Sequence, residues 1–137
     1  DDVATVAPIV RAHGDDKEIV ARIFVVPSDD TDTVRAQARF AIAAYLNVPV
    51  YRAFHEWLGR GELLGEMWQR WTDGDRAGAT ASIPDEVVDA LIVHGTPEQC
   101  RAKVQRYVDN GVSTPVLAVL GLAGVDTRAA VRELAPN

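Results

Sequence analysis

The side chain with the clearest chemical potential is His55, which stands among aromatic residues. Six of the nine aromatic residues fall between Tyr45 and Trp71, and Phe54 and Trp57 flank the histidine closely. An imidazole could donate a proton to a reacting group or orient a substrate. Histidine is also common on half-buried helix faces, where it does no chemistry. Both interpretations stay open here.

The aromatic residues around His55 could themselves shape an apolar substrate pocket. Phe54 and Trp57 are three residues apart, as are Trp68 and Trp71, so each pair would share a helix face. Such faces can hold a planar ring system. Helix packing or a dimer interface explains the same spacing equally well. The pocket candidates in this block are Tyr51, His55 and Trp57.

A second polar group, residues 28–32, follows the best-defined strand and contains one serine, one threonine and three aspartates. These side chains could offer hydroxyl or carboxylate contacts to a ligand. The same residue types cap helix N-termini, and capping explains most of the cluster. We name Ser28 as a candidate for the substrate pocket, in addition to Tyr51, His55 and Trp57.

Further along, Gly121 and Gly124 precede a predicted helix, a position at which backbone N–H groups can cradle phosphate. Asp126 places a negative charge near the same helix start. We therefore interpret this segment as a simple turn.

The sequence excludes several other kinds of site. Cys100, the single cysteine, lies on an apolar helical stripe with Val104 and Tyr107 and is predicted to be in the core. Disulfides within the chain and multi-cysteine metal sites are excluded. No metal-ligand spacing, nucleophile elbow or P-loop occurs. We predict no metal site and no catalytic residue in this segment.

Two strands position these residues. Residues 19–26 form a β-branched run closed by Pro27, and residues 114–120 form a second apolar run. Except for Arg22, the first run is apolar on both faces, which is typical of a buried strand in a parallel sheet.

Helices are predicted for most of the remaining sequence. The clearest start signal is a predicted capping box at Thr96 and Gln99, with Pro97 at the first helical position. Apolar spacing, Pro, Gly and capping residues predict the following helices: 1–13, from about 33 to 48, 50–71 with a break at 59–61, 85–91, from 97 to about 109, and 126–134.

This order of elements is α/β, with helical crossovers between parallel strands. Two strands are too few for a stable parallel sheet. The chain also begins with Asp rather than Met. We therefore expect the 137 residues to be part of a larger α/β fold, or the missing strands to come from a partner chain.

Two stretches resemble the C-terminal end of the luciferase-like monooxygenase superfamily. The first is residues 93–100, with a Gly-Thr-Pro-Glu turn and a helix, followed by the Gly-Val at 111–112 and the strand at 115–120. The second is residues 21–26 with the Ala- and Arg-rich helix that follows to Tyr45.

The resemblance implies the C-terminal part of a (β/α)8 TIM-type barrel. Residues 19–26 would be the seventh strand and 115–120 the eighth, with residues 1–13 as the helix before the seventh. A helical insertion at about 45–83 would follow the penultimate strand, and residues 1–137 would be one segment of a single barrel domain. Barrel active sites lie at the carboxyl ends of the strands.

The resemblance also implies an oxidoreductase or monooxygenase that uses a reduced flavin (FMN) or a deazaflavin (coenzyme F-420) for hydride transfer on a small organic substrate. Most cofactor-binding residues would lie upstream of this segment, which would be inactive alone. The full-length protein would be a homodimer.

The amino-acid composition limits the classes of partner that we expect for this protein. With 20 acidic and 14 basic residues, the formal net charge is −6, and no basic patch appears. Nucleic acid and membrane partners are therefore not expected. No signal-peptide pattern opens the sequence, so a cytoplasmic location is expected.

The alternative hypothesis is a non-catalytic helical module that binds an apolar ligand or a protein partner through the aromatic block. The net acidity and the few convergent polar side chains fit it. The two buried-type strands count against it, because a helical module does not need them.

Overall fold

The computed structural model describes residues 2–14 and 16–135. The chain divides into two compact units, an α/β unit (Asp1–Val34 with Ala90–Asn137) and a helical unit (Arg35–Asp89). The described elements in chain order are α1 (Asp2–Arg11), β1 (Val20–Val26), α2 (Thr31–Leu46), α3 (Pro49–Trp57), α4 (Gly61–Thr72), α5 (Arg76–Ala81), α6 (Asp85–Leu91), β2 (Ile92–His94), α7 (Pro97–Asp109), β3 (Thr114–Val119) and α8 (Thr127–Leu134).

The α/β unit contains a three-stranded parallel sheet in the order β2-β1-β3. The central strand places Val25 beside Val93 of β2 and Val119 of β3. The α/β class is thus confirmed, and the two predicted strands are present and adjacent. The expectation of only two strands was wrong, because Ile92–His94 forms a third. These three residues follow α6 directly, and their extended form depends on pairing with β1.

Helices α7 and α8 contribute to the core on one face of this sheet. The buried cluster consists of Ile23, Val25, Val93, Cys100 and Leu134. Successive strand residues point to opposite faces, so the odd-numbered positions of β1 contact the helices. The predicted core position of Cys100 is confirmed, since its side chain is fully buried.

The opposite face of the sheet is partly open. Val20 is 58% exposed and Val116 is 45% exposed, while the guanidinium of Arg22 lies 4.9 Å from the ring centroid of Phe24. The prediction that both strands are buried on both faces was therefore wrong for the amino-terminal part of this face, whereas Val26 at its carboxyl end is fully buried. β-branched residues favour strands whether or not both faces are covered, so composition alone does not report burial.

Helix α1 is tied to the start of the sheet by Arg11. Its guanidinium donates to the backbone oxygens of Lys17 and Gly111 and to Ser113 Oγ. Gly111 has φ +111°, and a Cβ there would lie 3.1 Å from the Cβ of Ala7. A glycine at this turn thus allows both the backbone conformation and the close approach of α1.

Five helices, α2 to α6, form the helical unit around buried apolar side chains. Trp68 is 4% exposed, and its indole Nε1 donates to the oxygen of Leu46 at 2.9 Å. The predicted interruption at Pro49 and the break before Gly61 are confirmed as the starts of α3 and α4. Gly59 supports the second break with φ +83°. Other buried members are Leu64, Met67, Ala79, Ile83, Val87 and Val88.

Among the described residues, no helix combines the length and the apolar content that a bilayer crossing requires.

Candidate functional site

The carboxyl ends of the three strands meet at one edge of the α/β unit, the position at which parallel α/β sheets bind ligands. The backbone N–H of Gly95 donates to the oxygen of Ser28 at 3.0 Å, so the loops after β2 and β1 are in direct contact. The N–H of Leu120 donates to the oxygen of Val25 at 2.9 Å, which holds the end of β3 beside β1. This edge is the best-defined candidate site in the α/β unit.

Each strand is followed by a helix whose N-terminus is capped by one of its own side chains. Asp30 Oδ1 accepts from the N–H of Thr33 at 3.2 Å. At α7 the predicted capping box is confirmed, since Thr96 Oγ1 accepts from the N–H of Gln99 and Gln99 Oε1 accepts from the N–H of Thr96. Asp126 Oδ1 accepts from two N–H groups of α8, at 2.9 and 3.2 Å.

These caps decide what the edge can bind. A helix N-terminus attracts a phosphate through free N–H groups and the helix dipole. Here side-chain oxygens occupy one or two of these groups at each terminus, and Asp30 and Asp126 add negative charge at two of the three termini. The segment from Gly121 to Gly124 forms a turn, with the N–H of Val125 donating to the oxygen of Leu122 at 3.0 Å. The edge is therefore unsuited to a cofactor phosphate.

Ser28 lies at this edge, directly after β1. Its Oγ accepts from the backbone N–H of Asp30 at 3.3 Å, and the residue is half-buried. Since a hydroxyl oxygen that accepts can still donate its own hydrogen, this turn contact leaves one donor for a ligand. The substrate contact of Ser28 stays a prediction.

His55 lies in the helical unit, on α3, and is only 6% exposed. Its Nδ1 is 3.4 Å from a guanidinium nitrogen of Arg60, and its ring meets Phe54 edge-on with centroids 6.3 Å apart. Its backbone oxygen also accepts from the N–H of Arg60. The ring is thus packed within the unit, and the protonation role considered for it stays a prediction.

The two aromatic candidates on α3 differ from His55 in exposure. Tyr51 is 46% exposed and packs against Tyr45, with ring centroids 6.2 Å apart. Trp57 is 54% exposed and stacks on Phe54 at 5.8 Å, which confirms that these two aromatics share a helix face. The helical unit therefore places His55 inside and Tyr51 and Trp57 at its surface, in contact with different neighbours.

Ion pairs connect α2 to α6 in the helical unit. Arg35 binds Asp89 through two nitrogens and also reaches Asp85 at 3.1 Å. Arg39 binds Asp85, and its Nε donates to the oxygen of Ile83 at 2.8 Å. These arginines are thus engaged in holding the two helices together.

Asp75 and Cys100 have shifted pKa values with clear causes. The N–H of Gly78 and the guanidinium of Arg70 lower the pKa of Asp75, which caps α5. Burial raises the pKa of the Cys100 thiol. Cys100 is therefore held as a neutral core thiol, in agreement with the expectation that it is no nucleophile.

The described residues contain no group of three or more His, Cys, Asp or Glu side chains arranged to hold a metal ion.

The sequence did not predict one feature of the helical unit, an open groove near Phe40 and Trp71. The available signal was the repeated alanine on α2 and α5, which leaves space between helices where larger side chains would fill it.

Comparison with known proteins gives one match. No curated protein and no solved structure matches the chain. A family model described as luciferase-like monooxygenase matches residues 1–114, most of the sequence. The match takes in α1 to α7 with β1 and β2, and it ends at the first residue of β3. The chain therefore belongs to the luciferase-like monooxygenase family, a family of oxidoreductases.

Proposed function

We propose that this chain is part of an oxidoreductase or monooxygenase in which a reduced flavin (FMN) or deazaflavin (coenzyme F-420) transfers hydride to or from a small organic substrate. Membership of the luciferase-like monooxygenase family supports the reaction class. The cofactor would supply the redox chemistry, and the protein would bind it, orient the substrate and exclude water.

The observation that carries the proposal is the unequal covering of the sheet. Helices α7 and α8 pack on the face of Ile23 and Val25. The other face is open around Val20, Arg22 and Val116, toward the amino ends of β1 and β3, whereas Val26 at its carboxyl end is buried. A TIM barrel has helices outside and strand side chains inside, whereas a doubly wound sheet has helices on both faces. We propose that the open face lines the interior of a (β/α)8 barrel, with β1 as strand seven and β3 as strand eight.

The capped helix N-termini limit what this segment does in such a barrel. Asp30, Thr96 and Asp126 each accept from one or two N–H groups at the carboxyl edge, and two of these caps are negatively charged, so the residues present do not fit the phosphate of FMN or of a deazaflavin. We assign the cofactor phosphate to residues outside this sequence. This segment then contributes strands and part of the pocket wall, with Ser28 nearest the sheet edge.

Thiol labelling tests the barrel placement. Cys100 is buried, so a cysteine introduced at Val116 on the open face would be the only reactive thiol in the folded chain. We expect Val116→Cys to label quickly in the 137-residue chain and to be protected in the protein as its own cell makes it. Ala102→Cys, at an exposed position on α7, is the matched control and should label in both.

The same cell-derived protein gives the functional test. Its intact mass should exceed the 14.9 kDa of this chain, and titration with FMN and with coenzyme F-420 should give saturable binding of one of them. A protein of 14.9 kDa that binds neither cofactor and labels fully at Val116→Cys would contradict the proposal. The non-catalytic binding module would then be the better description.

A further inference from the structure

The helical unit contains an open groove of about 970 Å³ that the proposed reaction does not use. Alanines of α2 and α5 line it, together with Phe40, Trp71 and Arg76. Ligand sites of this kind have volumes of roughly 300 to 1,000 Å³ and combine an apolar lining with a few polar groups. The groove is thus large enough for a two-ring organic molecule.

The aromatic side chains of the groove are available to a ligand. Phe40 is 81% exposed, the highest exposure among the large hydrophobic residues described. Trp71 is half-buried at the end of α4. Covering an exposed phenyl ring with an apolar ligand removes its surface from water, which favours binding. A flat apolar molecule would therefore gain most by lying against Phe40.

The polar group of the groove is a cation. The guanidinium of Arg76 lies 4.1 Å from the ring centroid of Trp71 and donates to the backbone oxygen of that residue. It makes no ion pair with any carboxylate of the described residues, whereas Arg39, at the same groove, is paired with Asp85. In a chain of net charge −6, the exposed guanidinium of Arg76 is thus available to pair with an anionic ligand.

We propose that this groove binds a flat aromatic carboxylate. The rings would lie against Phe40 and the alanines, and the carboxylate would accept from the guanidinium of Arg76, which the face of Trp71 orients. Because Arg76 is positively charged, a carboxylate ligand should bind more tightly than a neutral ligand of the same shape. Binding in this groove does not require a flavin, so it can be tested independently of the reaction proposed above.

The probe is naphthalene-2-carboxylate, with the neutral naphthalene-2-carboxamide as its matched control. Both are titrated into the cofactor-free 137-residue chain, and binding is followed through the NMR signals of the three tryptophan indole N–H groups. We expect saturable shifts of the Trp71 signal and tighter binding of the carboxylate. An ion pair with an exposed guanidinium such as that of Arg76 contributes about 0.5 to 1 kcal/mol, which corresponds to about two- to fivefold in affinity.

Variants assign the binding to the groove. Arg76→Gln should weaken binding of the carboxylate about two- to fivefold and leave binding of the amide unchanged, while Arg106→Gln, at an exposed arginine on α7, should change neither. Ala77→Phe should fill the groove and block both probes, whereas Ala53→Phe, an exposed alanine on α3, should not. The amide titration on Arg76→Gln also shows that this variant is folded.

Three results would overturn the proposal. One is equal affinity for carboxylate and amide. Another is a shift confined to the signals of Trp57 and Trp68. The third is concentration-dependent self-association that the Ala77→Phe variant abolishes and the carboxylate does not, because a second copy of the chain would then occupy the groove.

Discussion

Trimming one valine on each face of β1 tests whether the sheet is covered unequally. Val25 is fully buried among Ile23, Val93, Cys100 and Leu134. Val20 lies on the same strand, on the opposite face, and is 58% exposed. Both changes remove the same two methyl groups, so any difference between the two variants reports the surroundings rather than the chemistry of the side chain.

The expected magnitudes follow from burial. Removing two fully buried methyl groups costs about 1.6 kcal/mol of transfer free energy. The cavity left at Val25 adds to that cost, so Val25→Ala should lower the free energy of unfolding by about 2 to 3 kcal/mol. At Val20 less than half of the side chain is covered and no closed cavity forms, so Val20→Ala should cost only about 0.7 kcal/mol.

Urea unfolding, followed by circular dichroism, measures both values. The midpoint should move for each variant while the dependence on urea stays the same, because the fold is unchanged. A cost for Val20→Ala equal to that for Val25→Ala would refute the reasoning. It would mean that both faces of β1 are covered in this chain and that the barrel proposal has lost its main support.

Three further measurements check local features. Thr96→Ala should lower stability by about 1 kcal/mol because it opens the capping box, and Thr96→Ser should recover most of it; equal unfolding midpoints for both variants would contradict this. The Cys100 thiol, buried and with a raised pKa, should resist a thiol reagent at neutral pH until urea unfolds the chain, and rapid labelling of the folded protein would contradict its burial. The pKa of Asp75 is lowered by the N–H of Gly78 and by Arg70, so its stabilising contribution should be complete above about pH 4 and be lost as pH falls further through the folded-state pKa; Asp75→Asn should flatten acid unfolding in that range, and an unchanged acid profile would contradict it.

Local signals in the sequence predicted the elements that depend on contacts between residues close together in the chain. Thr96 and Gln99 form the predicted capping box, Asp126 caps α8 as expected, and Pro49 begins a new helix. Each of these features depends on contacts within a few residues, so the local sequence is enough to predict where the helix begins. The β-branched run that became β1 was equally clear.

Family membership was likewise accessible from residue patterns. The resemblance was placed on residues from about 19 onward, and the family model matches residues 1–114. The two ranges share the Gly-Thr-Pro-Glu turn that opens α7. The strand at 115–120, which was part of the resemblance, lies beyond the matched range, and its assignment as the eighth barrel strand stays a prediction.

Tertiary structure alone decided the features that depend on distant residues. Ile92–His94 is a strand because β1 offers a parallel partner, and a three-residue segment has no periodicity of its own. The groove beside Phe40 exists because α2, α4 and α5 meet with alanines between them. The sequence by itself determined where the capped helices begin and where β1 and β3 run, since capping and propensity act locally. Which faces are covered was decided only in three dimensions, because burial depends on what packs against a residue and not on the residue alone.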